Sequence, residues 1–335
     1  MPRSARLDAH GVLHHVIIRG IERRKIFKHK KDRDDFLARL AVLLPETKTN
    51  CYAWAFMTNH AHFLFQTGNV GLSTLMRRLL TGYAVSFNRR HKRHGRLLQN
   101  RYKSIICQED MYLKELVRYI HLNPLRAKIV SDLSVLNHYP YCGHSVLMGK
   151  RKRKWQDVDY VLKYFGTTIR EARKEYFLHM QAGMNQRRRP ELTGGGLIRS
   201  LGGWEAVKKM RLKGQDRIKG DERILGDTDF VNSLLSGAEE KISRQQELKN
   251  KGYDIKKVAE RVATIYGMDS RDIMSKGRQQ QRVVARSLLC YWSVRELGMS
   301  LSELAGLLGM SSPGVGYAVQ RGETIARDND YQLIG

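Results

Sequence analysis

The chain has 335 residues, 41% of them hydrophobic, which is enough to bury more than one core and excludes a disordered chain. Sixty Lys and Arg against 33 Asp and Glu leave a net charge of +27, which points to a polyanionic partner, most simply nucleic acid. No stretch has the length and apolarity of a membrane-spanning helix, and no apolar signal core is read in MPRSARLDAH, so a cytoplasmic, nucleoid-associated protein is expected. The four cysteines, Cys51, Cys107, Cys142 and Cys290, form no CxxC pair. That argues against a structural zinc site and for reduced, buried thiols.

Residues 11–19, GVLHHVIIR, read as a first strand, in which a lone His15 is taken as structural. A basic connection leads to a helix over residues 32–44 that buries Phe36, Leu37, Leu40 and Leu44 and is stopped by Pro45. Tyr52, Trp54 and Phe56 alternate in a second strand, and Thr58-Asn59 turn it back into an antiparallel partner. Residues 72–90 form a second long helix whose stripe is Leu72, Leu75, Met76, Leu79, Tyr83 and Phe87. Arg77 and Arg78 sit on its other side, where a DNA-backbone role is the preferred reading over a merely solvated face. A strand over residues 101–107 precedes a helix started by Asp110, with Leu113, Leu116, Val117 and Ile120 on one side and Pro124 as its stop.

Two short patterns in this half carry chemistry. In the strand Met57-Thr58-Asn59-His60-Ala61-His62-Phe63-Leu64-Phe65, His60 and His62 share one face while Ala61, Phe63 and Phe65 point to the other. Two imidazoles on one face of a rigid strand can ligate one divalent metal. Tyr119 and Asn123, four residues apart on one helical row, add a phenol that can act as a nucleophile and an amide oxygen that can be a third ligand.

His60-Ala61-His62 resembles the HUH motif, in which the central residue is hydrophobic. The segment Arg118-Tyr119-Ile120-His121-Leu122-Asn123-Pro124-Leu125-Arg126-Ala127 resembles the tyrosine helix of single-tyrosine HUH transposases, most similarly the REP-associated tyrosine transposases. His15-Val16-Ile17-Ile18-Arg19-Gly20 and Leu98-Gln99-Asn100-Arg101-Tyr102-Lys103-Ser104 match in the same order, so the resemblance covers roughly residues 8–130. Thr58 stands where proline is common, Ala61 is a small central residue, and His121 stands where an acid is frequent; no ligand or nucleophile is lost. The resemblance implies an α+β fold, a ferredoxin-like antiparallel sheet with helices in the order β-α-β-β-α-β. It also implies Mg²⁺ or Mn²⁺ held by His60, His62 and Asn123, attack by Tyr119, and strand contacts from Arg19, Arg77, Arg78, Gln99, Arg101 and Lys103.

Beyond this domain, taken as residues 1–149, the run Lys150 to Lys154 is the expected boundary, and residues 131–149 are expected to be irregular. Residues 150–245 read as a basic, helical linking region. It has helices over 155–165 and 169–180, a Gly- and Arg-rich linker over 187–203, and only small helices after it. Gly194, Gly195 and Gly196 lack the Lys-Ser/Thr of a phosphate loop, so a nucleotide site is rejected. In residues 246–325, Ser300-Leu301-Ser302-Glu303 is a capping box. A short helix follows, then a turn at Gly309 and a helix opened by Ser311-Ser312-Pro313, which together form a helix-turn-helix pattern. Residues 258–322 resemble the C-terminal DNA-binding domain of the replication initiator DnaA, of Trp-repressor-like class, through Tyr266-Gly267, Ser275-Lys276-Gly277-Arg278 and the Leu304 to Gly309 run. The initiator's Asp-His-Thr element is absent, so its box specificity is not expected. Ser312 and Arg321 are the expected duplex contacts.

The expected function is cleavage and rejoining of single-stranded DNA through a 5′-phosphotyrosine, at hairpin or palindromic repeats, by a monomer or homodimer without a membrane partner. The alternative is a non-catalytic DNA-binding regulator that works through the helix-turn-helix.

Overall fold

The computed structural model describes residues 11–68, 70–99, 101–186, 189, 192, 221, 223–275, 277 and 279–334. The expected linker at 187–203 lies almost wholly outside the described residues, as do Asn100, Lys276 and Arg278. The chain divides into two compact units, Met1–Leu234 and Leu235–Gly335.

The first unit is built on β1 (Leu13–Arg19), α1 (Lys30–Glu46), β2 (Asn50–Phe56), β3 (His60–Gln66), α2 (Leu72–Arg90) and β4 (Lys103–Cys107). The strands lie in the order β2-β3-β1-β4, each antiparallel to its neighbours. This is the ferredoxin-like arrangement expected from the β-α-β-β-α-β order. A two-residue strand, β5 (Ile224–Leu225), extends it by pairing parallel to β4, which makes the sheet mixed.

Period-2 alternation gives the sheet two apolar faces. Val16, Ile18, Trp54, Phe56, Phe63 and Phe65 pack with Phe36, Leu40, Leu75, Leu79 and Tyr83 from α1 and α2. Tyr52, Ala53, Leu64, Ile105 and Cys107 pack on the opposite face with Leu113, Leu116, Val117 and Ile120 of α3 (Glu109–His121). The crossover helices thus share one face, and α3 covers the other. Buried Asp32 ties α1 to α2: it accepts from the amides of Lys28 and His29 and pairs with Arg90 and His91.

Several boundaries differ from expectation. Gln108, not Asp110, caps α3, because strand pairing of β4 ends at Cys107 and both Glu109 and Asp110 enter the first turn. After Leu122 a short α4 (Asn123–Arg126) continues the course of the chain, with Pro124 at a first-turn position where its missing amide costs nothing. Residues expected to be irregular form α5 (Leu133–His138), capped by Asp132, and α6 (His144–Leu147). The basic run at 150–154 is not a boundary in the structure. The Trp155 ring packs tilted against Trp54 with centroids 5.2 Å apart, Gln156 accepts from the Trp54 indole, and α7 (Val158–Leu162) and α8 (Ile169–Ala182) bury Val161, Tyr176 and Met180 in the α3 core. Only five residues of the expected 155–165 helix are helical. The 23-residue α9 (Thr228–Asn250) replaces the small helices expected before residue 245.

The second unit is all helical beyond α9. It has α10 (Ile255–Tyr266), α11 (Ser270–Met274), α12 (Gln280–Arg295), α13 (Leu301–Leu308) and α14 (Ser312–Asp328) around Val258, Val262, Leu288, Leu289, Trp292, Leu304, Leu308, Val315 and Val319. The Ser300/Glu303 capping box opens α13, and Gly309 at φ 59° closes it. Ser311 caps α14, which leaves Ser312 as its first residue. Gly322 is where α12 and α14 touch, since a Cβ there would lie 2.0 Å from the Ser287 carbonyl oxygen. The four cysteines are buried and none is in a disulfide. Among the described residues no helix is long and apolar enough to cross a membrane.

Candidate active site

The register of the sheet assembles the site on the α3 face. Ile17 pairs with His62 on one side and Lys103 on the other, and Arg19 pairs with His60. Residues directly opposite in antiparallel strands share a face, so these side chains form two adjacent rows. Tyr119, Asn123 and Arg126 come down on the rows from α3 and α4. Together they line a cavity of about 920 Å³ that also takes in Arg23, Asn59, Gln99 and Arg189.

His60 and His62 have ring centroids 5.3 Å apart. The Tyr119 ring stands edge-on to His62 at 5.8 Å and to His15 at 5.9 Å. The Asn123 side-chain nitrogen donates to the Tyr119 carbonyl at 2.8 Å, so its oxygen is the amide atom left for a ligand.

The hydrogen bonds assign the imidazole tautomers. His15 Nδ1 lies 2.9 Å from the Leu192 carbonyl, which can only accept, so His15 carries its proton there. His15 Nε2 then accepts from His62 Nδ1, also at 2.9 Å. On the other histidine, Asn59 Nδ2 donates to the Arg23 carbonyl, which turns Asn59 Oδ1 toward His60 Nδ1 at 2.7 Å. Both Nδ1 atoms are therefore donors, and both Nε2 atoms keep a lone pair, the arrangement found where histidines ligate metals. Burial, with Arg19 nearby, lowers the His60 pKa to about 4. Burial also drives that of His62 well below the usual histidine value, with help from His15, His60 and Arg19. Both rings are neutral at pH 7, as metal ligation requires. Among the described residues no three His, Cys, Asp or Glu side chains group to hold a metal by themselves; the side chains of this cavity that could hold one are the His60 and His62 imidazoles with the Asn123 amide oxygen. That mixed nitrogen and oxygen set, open on the cavity side, fits a hard divalent cation.

Of the expected strand contacts, Arg19, Gln99 and Lys103 line the cavity. Arg101 is exposed and outside its lining. Arg77 and Arg78 lie on α2, across the sheet from the cavity, and Arg78 pairs with Glu46 at 2.6 Å. In the second unit Ser312 is half-buried at the start of α14 and Arg321 is exposed along it. Two residues of the site were not singled out in the sequence. His15 reads as one more buried histidine until its bond to His62 is seen. Arg126 reads as an exposed basic residue after an Asn-Pro stop, although its spacing of seven from Tyr119 on a near-continuous helix would have brought it to the same side.

Residues 9–123 match the family model described as Transposase IS200 like. The IS200-like segment runs through β1 to α3 and contains His15, His60, His62, Tyr119 and Asn123, while Arg126 lies just past its end. One solved structure, described as "Structure of the REP associates tyrosine transposase bound to a REP hairpin", is 14% identical. It covers 50% of this chain and 93% of that chain, with a TM-score of 0.37. No curated protein matches the chain.

Proposed function

We propose that the first unit cleaves and rejoins single-stranded DNA through a covalent bond between Tyr119 and a 5′-phosphate. The observation that carries this reading is the convergence of His60, His62, Tyr119 and Asn123, from a β-hairpin and a later helix of one chain, on a single cavity. The IS200-like match over the same residues and the net charge of +27 support it.

In this reading Arg19 and Lys103 seat the strand by its phosphates. The Tyr119 oxygen attacks phosphorus in line with the departing 3′ oxygen. The O–P bond to tyrosine forms as the bond to the 3′ oxygen breaks; the phenol proton is lost to water and the departing oxygen takes up a proton, leaving as a hydroxyl. The linkage conserves the phosphodiester, so a second 3′ hydroxyl can reverse the step and rejoin the strand. His60, His62 and Asn123 would hold one Mg²⁺ or Mn²⁺, which when bound supplies Lewis acidity to a non-bridging phosphate oxygen. Because all four residues belong to one chain, no exchange of helices between subunits is needed. The second unit adds duplex recognition through α13 and α14, with Ser312 and Arg321 facing DNA.

His62→Ala tests the reading. Cleavage of a hairpin-bearing single strand should fall below detection, while DNA affinity stays within about threefold, since phosphate contacts dominate affinity. Equal loss of both would make His62 a structural residue. Tight duplex binding without cleavage of any oligonucleotide would favour a regulator that works through the second unit.

A further inference from the structure

Among the described residues, Arg126 has no carboxylate partner. Its Nη1 is buried and has no hydrogen-bond partner. Its guanidinium lies over the Tyr119 ring, 5.4 Å from the centroid, and it lines the same cavity as His60 and His62. Arg118 and Arg189 stand nearby, and Glu115, the acid beside them among the described residues, is already committed. Glu115 pairs with Arg118 at 2.6 Å and with Arg189 at 3.1 Å. The interactions that bear on Arg126 are burial, the Tyr119 phenol and the repulsion of Arg118 and Arg189, and no carboxylate figures among them. Arg126 is half-buried, and a buried guanidinium nitrogen with no acceptor is unfavourable for the fold by itself, a cost that an anionic ligand in the cavity would relieve.

We propose that Arg126 is the anion-holding residue of the tyrosine chemistry, its guanidinium taking a non-bridging oxygen of the phosphodiester that Tyr119 attacks. A planar fork of donors suits a phosphate better than a lysine would. Lying over the phenol, it neutralises charge on the phosphoryl group as the Tyr119 oxygen closes on phosphorus, and holds the same oxygen in the phosphotyrosine. The proposal rests on the strand-cleavage reading above for its substrate and on the unpaired guanidinium for its residue.

The test uses the full chain with Arg126→Gln and Arg126→Ala, a hairpin-bearing single-stranded oligonucleotide and Mn²⁺. Arg126→Gln should form covalent adduct on the order of a hundredfold more slowly than wild type, with oligonucleotide affinity within about threefold. Its melting temperature without DNA should be unchanged or higher, because an uncompensated cation has been removed. Millimolar guanidinium should restore adduct formation at least about tenfold in Arg126→Ala and leave wild type unaffected, a rescue that a packing defect does not show. An adduct rate in Arg126→Gln equal to wild type, or lost activity that guanidinium does not restore, overturns the proposal. If wild type itself forms no adduct with any oligonucleotide, the cleavage reading fails and the anion site is judged separately with inorganic phosphate. A phosphate-induced rise in melting temperature that is absent in Arg126→Gln supports the site; an equal rise in both proteins overturns it.

Discussion

Replacing His15 by Phe tests how far the site depends on a residue that touches no substrate. Phenylalanine keeps a planar ring between β1 and α3 but is larger than histidine at a fully buried position, so His15→Gln serves as the packing control. What disappears is the chain of bonds from the Leu192 carbonyl through His15 to His62 Nδ1, each link 2.9 Å long. Without an acceptor at Nδ1, the His62 proton is free to settle on Nε2, the atom that a metal needs. Loss of such an outer partner typically weakens metal binding about 10- to 100-fold, or roughly 1.4–2.7 kcal/mol. Isothermal titration with Mn²⁺, in the absence of DNA, reads this directly, and His15→Gln, whose amide oxygen can accept from Nδ1, should recover part of the loss. Unchanged Mn²⁺ affinity in His15→Phe would refute the tautomer argument, and so would an equal loss in His15→Gln.

Two further predictions concern the fold. His144 is fully buried between the Tyr176 hydroxyl and Asn137 Oδ1, and burial lowers its pKa to about 3. The folded state therefore binds its proton less readily than the unfolded chain, so the stability it supports is present above about pH 6.5 and drains away as pH falls toward 3. Between pH 7 and 5 the loss is about 2 kcal/mol, and His144→Gln should flatten the pH dependence of thermal unfolding; an identical slope in the variant would contradict the assignment. Gly322→Ala should cost about 1–3 kcal/mol by overpacking α12 against α14. Duplex binding and helicity of the second unit report it, and adduct formation on a single-stranded oligonucleotide should be untouched. Wild-type melting of the second unit in Gly322→Ala would show that the helices part easily.

Local pattern made much of this legible. Alternation in His60 to Phe65 placed the two histidines on one face and the phenylalanines on the other, as the two cores show. The apolar stripe of α2 marked its ends, and the Ser300/Glu303 box marked the start of α13. What local pattern left open is non-local. Charge alone made Arg77 and Arg78 look like strand contacts, but both crossover helices pack on one face of the sheet and the cavity opens on the other. Lys150 to Lys154 looked like a boundary because its charge is abrupt, yet Trp155 and Gln156 lock onto Trp54, a hundred residues earlier in the chain. β5 has two residues and no pattern of its own, so only its pairing with β4 defines it. His15 acquires meaning from His62, which faces it across the sheet, and no spacing within β1 reveals that; Arg126 was within reach of the spacing along α3 and α4.

Strand cleavage by this site requires a bond between the Tyr119 oxygen and DNA. Its most direct measurement is mass spectrometry of proteolytic peptides after incubation with hairpin-bearing single-stranded DNA and Mg²⁺ or Mn²⁺. The expected result is a nucleotide attached through a 5′-phosphate to the peptide containing Tyr119, absent in Tyr119→Phe. An adduct mapped to another residue, or cleavage that persists in Tyr119→Phe, would contradict it.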